Sequence, residues 1–175
     1  MRTGTAVLLA ILISGLASAS EIHPPAAVTA GTAATILTSG SGDATFYLIG
    51  PTTATKRTVQ AGNDISVDAD QLQDAGRYIT VLCASDGCTS ATFFVNPATP
   101  NKLSLLVHPS RVPVGSANGI STVVFVFDNF RNLVLNPGSV KFSILPKDGK
   151  EVSAERPTTD GVAWVRISSA RKEGP

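Results

Sequence analysis

Short apolar runs alternate with polar residues along most of this chain of 175 residues. Alternation with a period of two is typical of β-strands that bury one face, and the stretches between the runs have the Gly, Asn, Asp, Ser and Pro content of turns. One short helical turn is expected within 68–76. The predicted strands are 32–39, 44–50, 56–60, 64–68, 77–84 and 88–95 in the first half, and 102–109, 120–128, 133–135, 139–146, 151–155 and 161–169 in the second half.

The segment 97–101 divides the two sets of strands. Its prolines, Pro97 and Pro100, cannot donate to a strand ladder, and polar residues surround them. We therefore predict one domain over 20–96, a linker over 97–101 and a second domain over 102–175. Two successive sets of short strands without a periodic helix fit an all-β architecture of two tandem β-sandwiches.

The first nineteen residues predict a secretory signal peptide. Arg2 gives the positive start, 6–17 is a short apolar core, and Ala17 and Ala19 fit the small-x-small pattern of a cleavage site after Ala19. The apolar run is shorter than the roughly 20 residues that span a bilayer, and no later segment is a candidate span. We expect a mature chain without a membrane span that is secreted, periplasmic or held at the cell surface.

The charges are balanced, with 14 basic and 13 acidic residues. Removal of 1–19 takes away one basic residue, Arg2, and leaves a net charge near zero. A neutral chain without a basic stripe lacks the electrostatic footprint of a nucleic-acid-binding protein. We therefore expect no nucleic-acid partner.

The two cysteines of the chain, Cys83 and Cys88, flank a turn between two predicted strands. A register in which they face each other excludes a two-residue turn at 86–87, and it favours a four-residue connection over 84–87 with Gly87 at positive φ. A thioredoxin-type pair has two intervening residues, and a zinc site needs further ligands that this sequence does not supply. Because exported proteins meet oxidising conditions, we expect a structural disulfide.

The same register assigns the hairpin side chains to two faces. Tyr78, Thr80 and Leu82 share one face with the side chains at 89, 91 and 93. If Tyr78 lies in the core, the other face presents an outward apolar patch that is a candidate contact surface. The alternative is that the second domain or a loop covers this patch. Its residues are Ile79, Val81 and Phe94.

The stretch QDAGRY at 73–78 resembles the D-x-G-x-Y pattern of immunoglobulin-like domains. Asp74, Gly76 and Tyr78 carry the resemblance, which implies a tyrosine corner whose hydroxyl bonds back to the backbone. Thr80 stands where antibody domains have a cysteine, and the strand predicted at 44–50 has no tryptophan. The resemblance is therefore to the general sandwich class.

The second half resembles the bacterial immunoglobulin-like repeats of adhesins and invasin-type proteins. In such repeats an aspartate ends a long strand and an asparagine follows, and Asp128 and Asn132 occupy these structural places. Together the two resemblances imply two tandem immunoglobulin-like β-sandwiches. The matching stretches are HPSRVPVGS (108–116), VFVFDNFRN (124–132), SVKFSIL (139–145) and TTDGVAWVRISS (158–169).

Those repeats run on into one more strand, so the resemblance implies that the second sandwich lacks its last strand and has an open edge. A strand from a partner would complete the sheet by β-augmentation. The alternatives are a truncated gene product and a strand supplied in another way.

The sequence contains no recognised catalytic motif, since G-x-S-x-G, H-E-x-x-H and a phosphate loop are all missing. His23 and His108 are distant from each other, and each precedes a proline. Asp64, Asp68 and Asp70 lack the spacing of an EF-hand and fit a solvated loop. We expect no enzyme activity, no catalytic residue, no cofactor and no metal site.

The segment GVAWVRIS at 161–168 predicts an exposed aromatic residue. The resemblance places Ala163, Val165 and Ile167 inside, so Trp164 and Arg166 lie side by side on the outer face. Tryptophan and arginine are frequent anchors of binding surfaces. The alternative is that Trp164 packs under a loop or at the interdomain contact.

These expectations describe an exported, non-catalytic immunoglobulin-like protein that acts in binding, in cell-surface adhesion or as a structural spacer, with a protein or glycan partner. Two alternatives stay open. One is a carbohydrate-recognition accessory module that uses Trp164, and the other is a truncated fragment of a longer repeat adhesin.

Overall fold

A computed structural model describes residues 20–135, 138–145 and 151–171, and the predicted signal peptide lies outside the described residues. The described residues form thirteen strands and one 3-10 helix, Ala69–Leu72. The prediction of an all-β fold with two tandem sandwiches is confirmed.

The first sandwich places eight strands in two sheets. One sheet has the order β1-β3-β6 and the other β2-β8-β7-β4-β5. Strand β2 runs parallel to β8, and the remaining pairs are antiparallel. Strands β4, β7 and β8 take the places of strands C, F and G in an immunoglobulin sandwich. The eight strands are β1 (Ile22–His23), β2 (Ala27–Thr29), β3 (Ala34–Thr38), β4 (Asp43–Ile49), β5 (Ala54–Gln60), β6 (Ile65–Val67), β7 (Gly76–Ala84) and β8 (Gly87–Asn96).

Alternating side chains of the first sandwich meet between its sheets. In β4, Ala44, Phe46 and Leu48 are buried, whereas Thr45 and Tyr47 are half-buried on the outer face. This period of two is what the sequence pattern predicts for strands with one buried face. The largest fully buried side chains of this core are Phe46, Tyr78, Phe93, Ile36, Leu72 and Leu82.

The second sandwich has two smaller sheets, with the orders β13-β10-β9 and β11-β12. All of its strand pairs are antiparallel. Its core contains Val124, Val126, Val134, Val140, Phe142, Ala163 and Val165. Its strands are β9 (Lys102–His108), β10 (Ile120–Phe127), β11 (Ser139–Ile144), β12 (Val152–Pro157) and β13 (Val162–Ile167).

The second sandwich is open on one side. In the described part of the chain no strand follows β13, so β11 and β12 have no neighbours in the places of strands F and G. Leu103 and Leu105 pair with the buried Val126 and Val124 and share their inner face, yet they are 61% and 62% exposed.

Two details of the predicted strand pattern were wrong. The segment 133–135 is not a strand, since only Leu133 forms an isolated bridge, to Phe127. Strands β1 and β2 were missed because segments of two and three residues are too short to show alternation.

Candidate functional site

The loop that follows β10 ties the second sandwich to the connecting segment. The Asp128 carboxylate is buried, and its Oδ1 accepts hydrogen bonds from the backbone N–H groups of Phe130 at 2.9 Å and Asn132 at 2.8 Å. Its Oδ2 accepts from Asn132 Nδ2 at 2.8 Å and from the N–H of Ala98 at 2.9 Å. One side chain therefore fixes both the loop and the segment 97–101.

The hydrogen bonds also set the charge state of Asp128. Burial opposes ionisation, but the donors from Asn132, Ala98 and Phe130 outweigh it and hold the pKa of the Asp128 carboxyl below its usual value. The loop is therefore organised around a carboxylate.

Asn132 extends from this loop to the first sandwich. Its Oδ1 accepts from the N–H of Ala75 at 2.8 Å, and its Nδ2 donates to the carbonyl of Gln73 at 2.8 Å. An amide has one acceptor and two donor hydrogens, and here it matches a backbone acceptor and a backbone donor of the same loop. Asn132 thus bridges the two domains both as a hydrogen-bond acceptor and as a donor.

Phe130 gives the same loop an apolar contact with the first sandwich. Its half-buried ring packs against the core of the first sandwich. Gly31 makes room for the ring, because a Cβ at this position would overlap it, and its φ of +75° favours glycine. We call the contacts of Asp128, Phe130 and Asn132 with the first sandwich and 97–101 the interdomain joint.

The sequence identified only part of the interdomain joint. Asp128 and Asn132 were predicted as structural residues, but nothing in their spacing indicated contact with the other domain. Phe130 and Gly31 were missed, although an aromatic residue between the two polar ones is a signal that could have been read. The segment 97–101 contributes to the joint through Ala98.

The D-x-G-x-Y residues form a corner beside the joint. The Tyr78 hydroxyl donates to the carbonyl of Asp74 at 3.1 Å, as the pattern implies. Burial, and next the negative charge of Asp74, raise the pKa of Tyr78. Gly76 has a φ of +149°, and a Cβ there would lie 2.9 Å from Pro51. The corner shapes the loop whose backbone binds Asn132.

The cysteines form a disulfide on the outer face of the β7–β8 hairpin. Cys83 and Cys88 are register partners and are bonded. The predicted register is thus present, but the predicted four-residue connection was wrong. Ala84 and Gly87 pair as well, so only two residues, at 85–86, lie between the strands.

The predicted outer patch is only partly exposed. Phe94 is 52% exposed, whereas Ile79 and Val81 are half-buried. On the neighbouring strand β4, Ile49 lies opposite Ile79 and Tyr47 lies opposite Val81, so these side chains crowd one another. Phe94 is therefore the main accessible residue of the predicted patch.

Trp164 points outward beside Arg166 and is 61% exposed. Both line a surface cavity of about 580 Å³, to which β12 contributes Arg156. Among the described side chains, neither arginine has a carboxylate within 4.0 Å. Arg156 was missed because it lies on another strand. The cavity is lined by Asn118, Arg156, Pro157, Thr159, Val162, Trp164, Val165 and Arg166.

The remaining sequence candidates are not brought together. Within residues 20–135, 138–145 and 151–171, no three His, Cys, Asp or Glu side chains are placed to hold a metal ion. His23 contacts Glu21 at 3.1 Å. In the same described ranges, no helix has both the length and the apolar character needed to cross a membrane.

The fold defines an all-β protein of the immunoglobulin-like sandwich class. The chain is similar to a crystal structure of the FN1–FN3 domains of chicken CNTN1, with 11% identity and a TM-score of 0.27 over 86% of this chain and 56% of that one. The chain thus spans little more than half of that structure, and similarity at this level carries no argument about function. No protein-family model matches the chain, and no curated protein matches it either.

Proposed function

We propose that the chain is an exported, non-catalytic immunoglobulin-like protein of the bacterial adhesin or invasin kind. In this proposal it acts as a stiff spacer that presents a binding surface at or beyond the cell surface. The observation that carries the proposal is the interdomain joint, in which one side of the second sandwich is bonded to the first.

Stiffness is the property that such a joint provides. Domains joined by a plain linker move independently unless their interface is substantial. Here the segment 97–101 is itself fixed, because the N–H of Ala98 bonds to Asp128 and the N–H of Asn101 bonds to the carbonyl of Phe127 at 2.9 Å. A spacer with a fixed joint holds its distal surface in a set direction.

Replacement of Asn132 by alanine tests the stiffness. The mature chain with Asn132→Ala should keep both sandwiches folded, while NMR relaxation shows the two domains tumbling with separate correlation times. Asn129→Ala, an exposed change in the same loop, is the matched control and should tumble as the unaltered chain does. Common tumbling of the two domains in Asn132→Ala would refute a stiff joint built on this residue.

Export requires its own experiment. Expression of the full chain with its leader should yield periplasmic or secreted protein that lacks residues 1–19 and carries oxidised Cys83 and Cys88. Retention of the full-length chain in the cytoplasm would contradict the proposed localisation.

A second candidate function, carbohydrate recognition, is favoured by the cavity at Trp164. A flat exposed indole ring offers an apolar surface to a sugar ring. Arg156 and Arg166 supply hydrogen-bond donors, and no carboxylate of the described residues lies within 4.0 Å of either guanidinium group. Trp164→Ala should abolish binding on a glycan array. Leu106→Ala, on the same outer face and 59% exposed, is the matched control and should retain it. Absence of glycan binding in the unaltered protein would contradict this candidate.

A further inference from the structure

The first described residue, Ser20, is held by a carboxylate distant in sequence. Its backbone nitrogen lies 2.6 Å from Asp86 Oδ2, and the two residues are 66 positions apart. Asp86 belongs to the turn between β7 and β8. An exposed turn carboxylate thus meets the chain at the place where the sequence predicts leader cleavage.

Ser20 is closely surrounded by the first sandwich. It is 9% exposed, and a Cβ added at Gly40 would overlap its side chain. The next residues are fixed as well, because the N–H of Ser39 bonds to the carbonyl of Glu21 at 3.0 Å and Ile22 lies in the core. The segment 20–22 therefore docks on the first sandwich in a defined way.

We infer that Asp86 is the receptor for the α-ammonium group that leader cleavage creates at Ser20. The inference rests on the proposed export of the chain. Hydrolysis of the Ala19–Ser20 peptide bond by water leaves a carboxylate on Ala19 and an amine on Ser20, which is mostly protonated at neutral pH. The neutral N–H of the precursor becomes a cation with three donors at the same place.

This conversion changes the strength of the contact. A charge-assisted hydrogen bond between an ammonium and a carboxylate is stronger than one from a neutral amide to the same oxygen. The mature chain therefore holds its N-terminal segment against the β7–β8 turn more firmly than the precursor does. Processing thereby stabilises the first sandwich.

A double-mutant cycle on residues 20–175 tests the pair. Four proteins combine Asp86 or Asp86→Asn with a free or an acetylated Ser20 amine, and urea titration gives the unfolding equilibrium constant of the first sandwich. With the free amine, Asp86→Asn should raise this constant about fivefold. With the acetylated terminus the same change should raise it less than about twofold. Asp64→Asn, an exposed carboxylate elsewhere in this sandwich, should have equal small effects on both forms.

Equal effects of Asp86→Asn on the free and acetylated forms would overturn the inference, because Asp86 would then serve only as an acceptor for a neutral N–H. The cycle does not depend on export, so its failure leaves the export proposal intact. Mass spectrometry of the exported protein supplies the second test. A first residue other than Ser20 would also overturn the inference, whereas a cytoplasmic full-length chain would refute export itself.

Discussion

The two sandwiches show the same alternation of apolar and polar residues, but only the first one closes over its core. Fifteen buried apolar residues form the core of the first sandwich, and seven form that of the second. Of twelve large apolar residues that are exposed in the described part of the chain, nine belong to the second sandwich. Alternation within strands therefore determines which face is apolar, and the number of strands determines whether that face is covered.

The sheet edges differ in the same direction. Edge strands are commonly protected by charged side chains, prolines or bulges. Strand β5, at the edge of the five-stranded sheet, has Lys56 and Arg57 near its middle, whereas the lysine or arginine of β9 is Lys102, at the start of the strand. The first sandwich thus has a protected edge, and the second offers an apolar one.

The largest effect is expected at a fully buried aromatic side chain of the first core. Phe93→Ala should lower the free energy of unfolding of the first sandwich by about 3–5 kcal/mol, because the fully buried ring leaves a cavity against Tyr78. Phe94→Ala is the matched control, since the neighbouring ring is 52% exposed, and it should change stability by less than about 1 kcal/mol. Urea unfolding followed by tyrosine fluorescence compares them, and equal losses would contradict the assignment of faces.

The second largest loss of stability is expected when the interdomain joint loses Asp128. Asp128→Ala leaves the N–H groups of Ala98, Phe130 and Asn132 without their acceptor, and should cost about 2–4 kcal/mol. Calorimetric melting of the mature chain at pH 7 measures this loss. Asp64→Asn, an exposed carboxylate, is the control and should change little.

The same carboxylate makes the joint sensitive to acid. Because the pKa of Asp128 is lowered in the folded state, its stabilisation is complete above the unfolded pKa of about 3.9 and is lost as the pH falls through the folded value. The difference in melting temperature between the unaltered chain and Asp128→Asn should therefore shrink as the pH falls below about 4. A difference that stays constant between pH 5 and pH 2 would show that the ionised carboxylate does not stabilise the joint.

A pair of glycines separates backbone strain from interdomain contact. Gly31 and Gly42 both have positive φ, but a Cβ at Gly31 would overlap the ring of Phe130, whereas a Cβ at Gly42 would meet nothing within 4 Å. Both alanine variants should lose about 1 kcal/mol through strain. Gly31→Ala should lose about 1 kcal/mol more and weaken the joint in NMR relaxation. Equal losses of stability and equal NMR relaxation in the two variants would show that Phe130 does not contribute to the joint.

The strands of the first sandwich and the register of its hairpin could be predicted from the sequence, because they depend on local pattern. The period of two identified β4, β7 and β8, and the spacing of Cys83 and Cys88 identified the register of their hairpin. The joint could not be predicted, because the Asn132 contact joins residues 57 and 59 positions apart and depends on how two folded bodies meet. At the cavity, Trp164 and Arg166 were predicted because they lie on one strand. Arg156 was not predicted, because it lies on a separate strand.

The smallest effect on folding is expected at the open side of the second sandwich. Leu105 pairs with the buried Val124, but 62% of Leu105 is exposed. Leu105→Lys should therefore change the stability of the monomer by less than about 0.5 kcal/mol.

If a strand from a second copy completes the sandwich, the unaltered chain should associate with rising concentration in sedimentation velocity experiments. Leu105→Lys should weaken this association, because the interface would then bury a charge. Ser104→Lys, on the opposite face of β9, is the control and should associate as before. A chain that stays monomeric at high concentration would show that the open face does not recruit a second copy. A large loss of monomer stability in Leu105→Lys would show instead that the face is already covered within the chain.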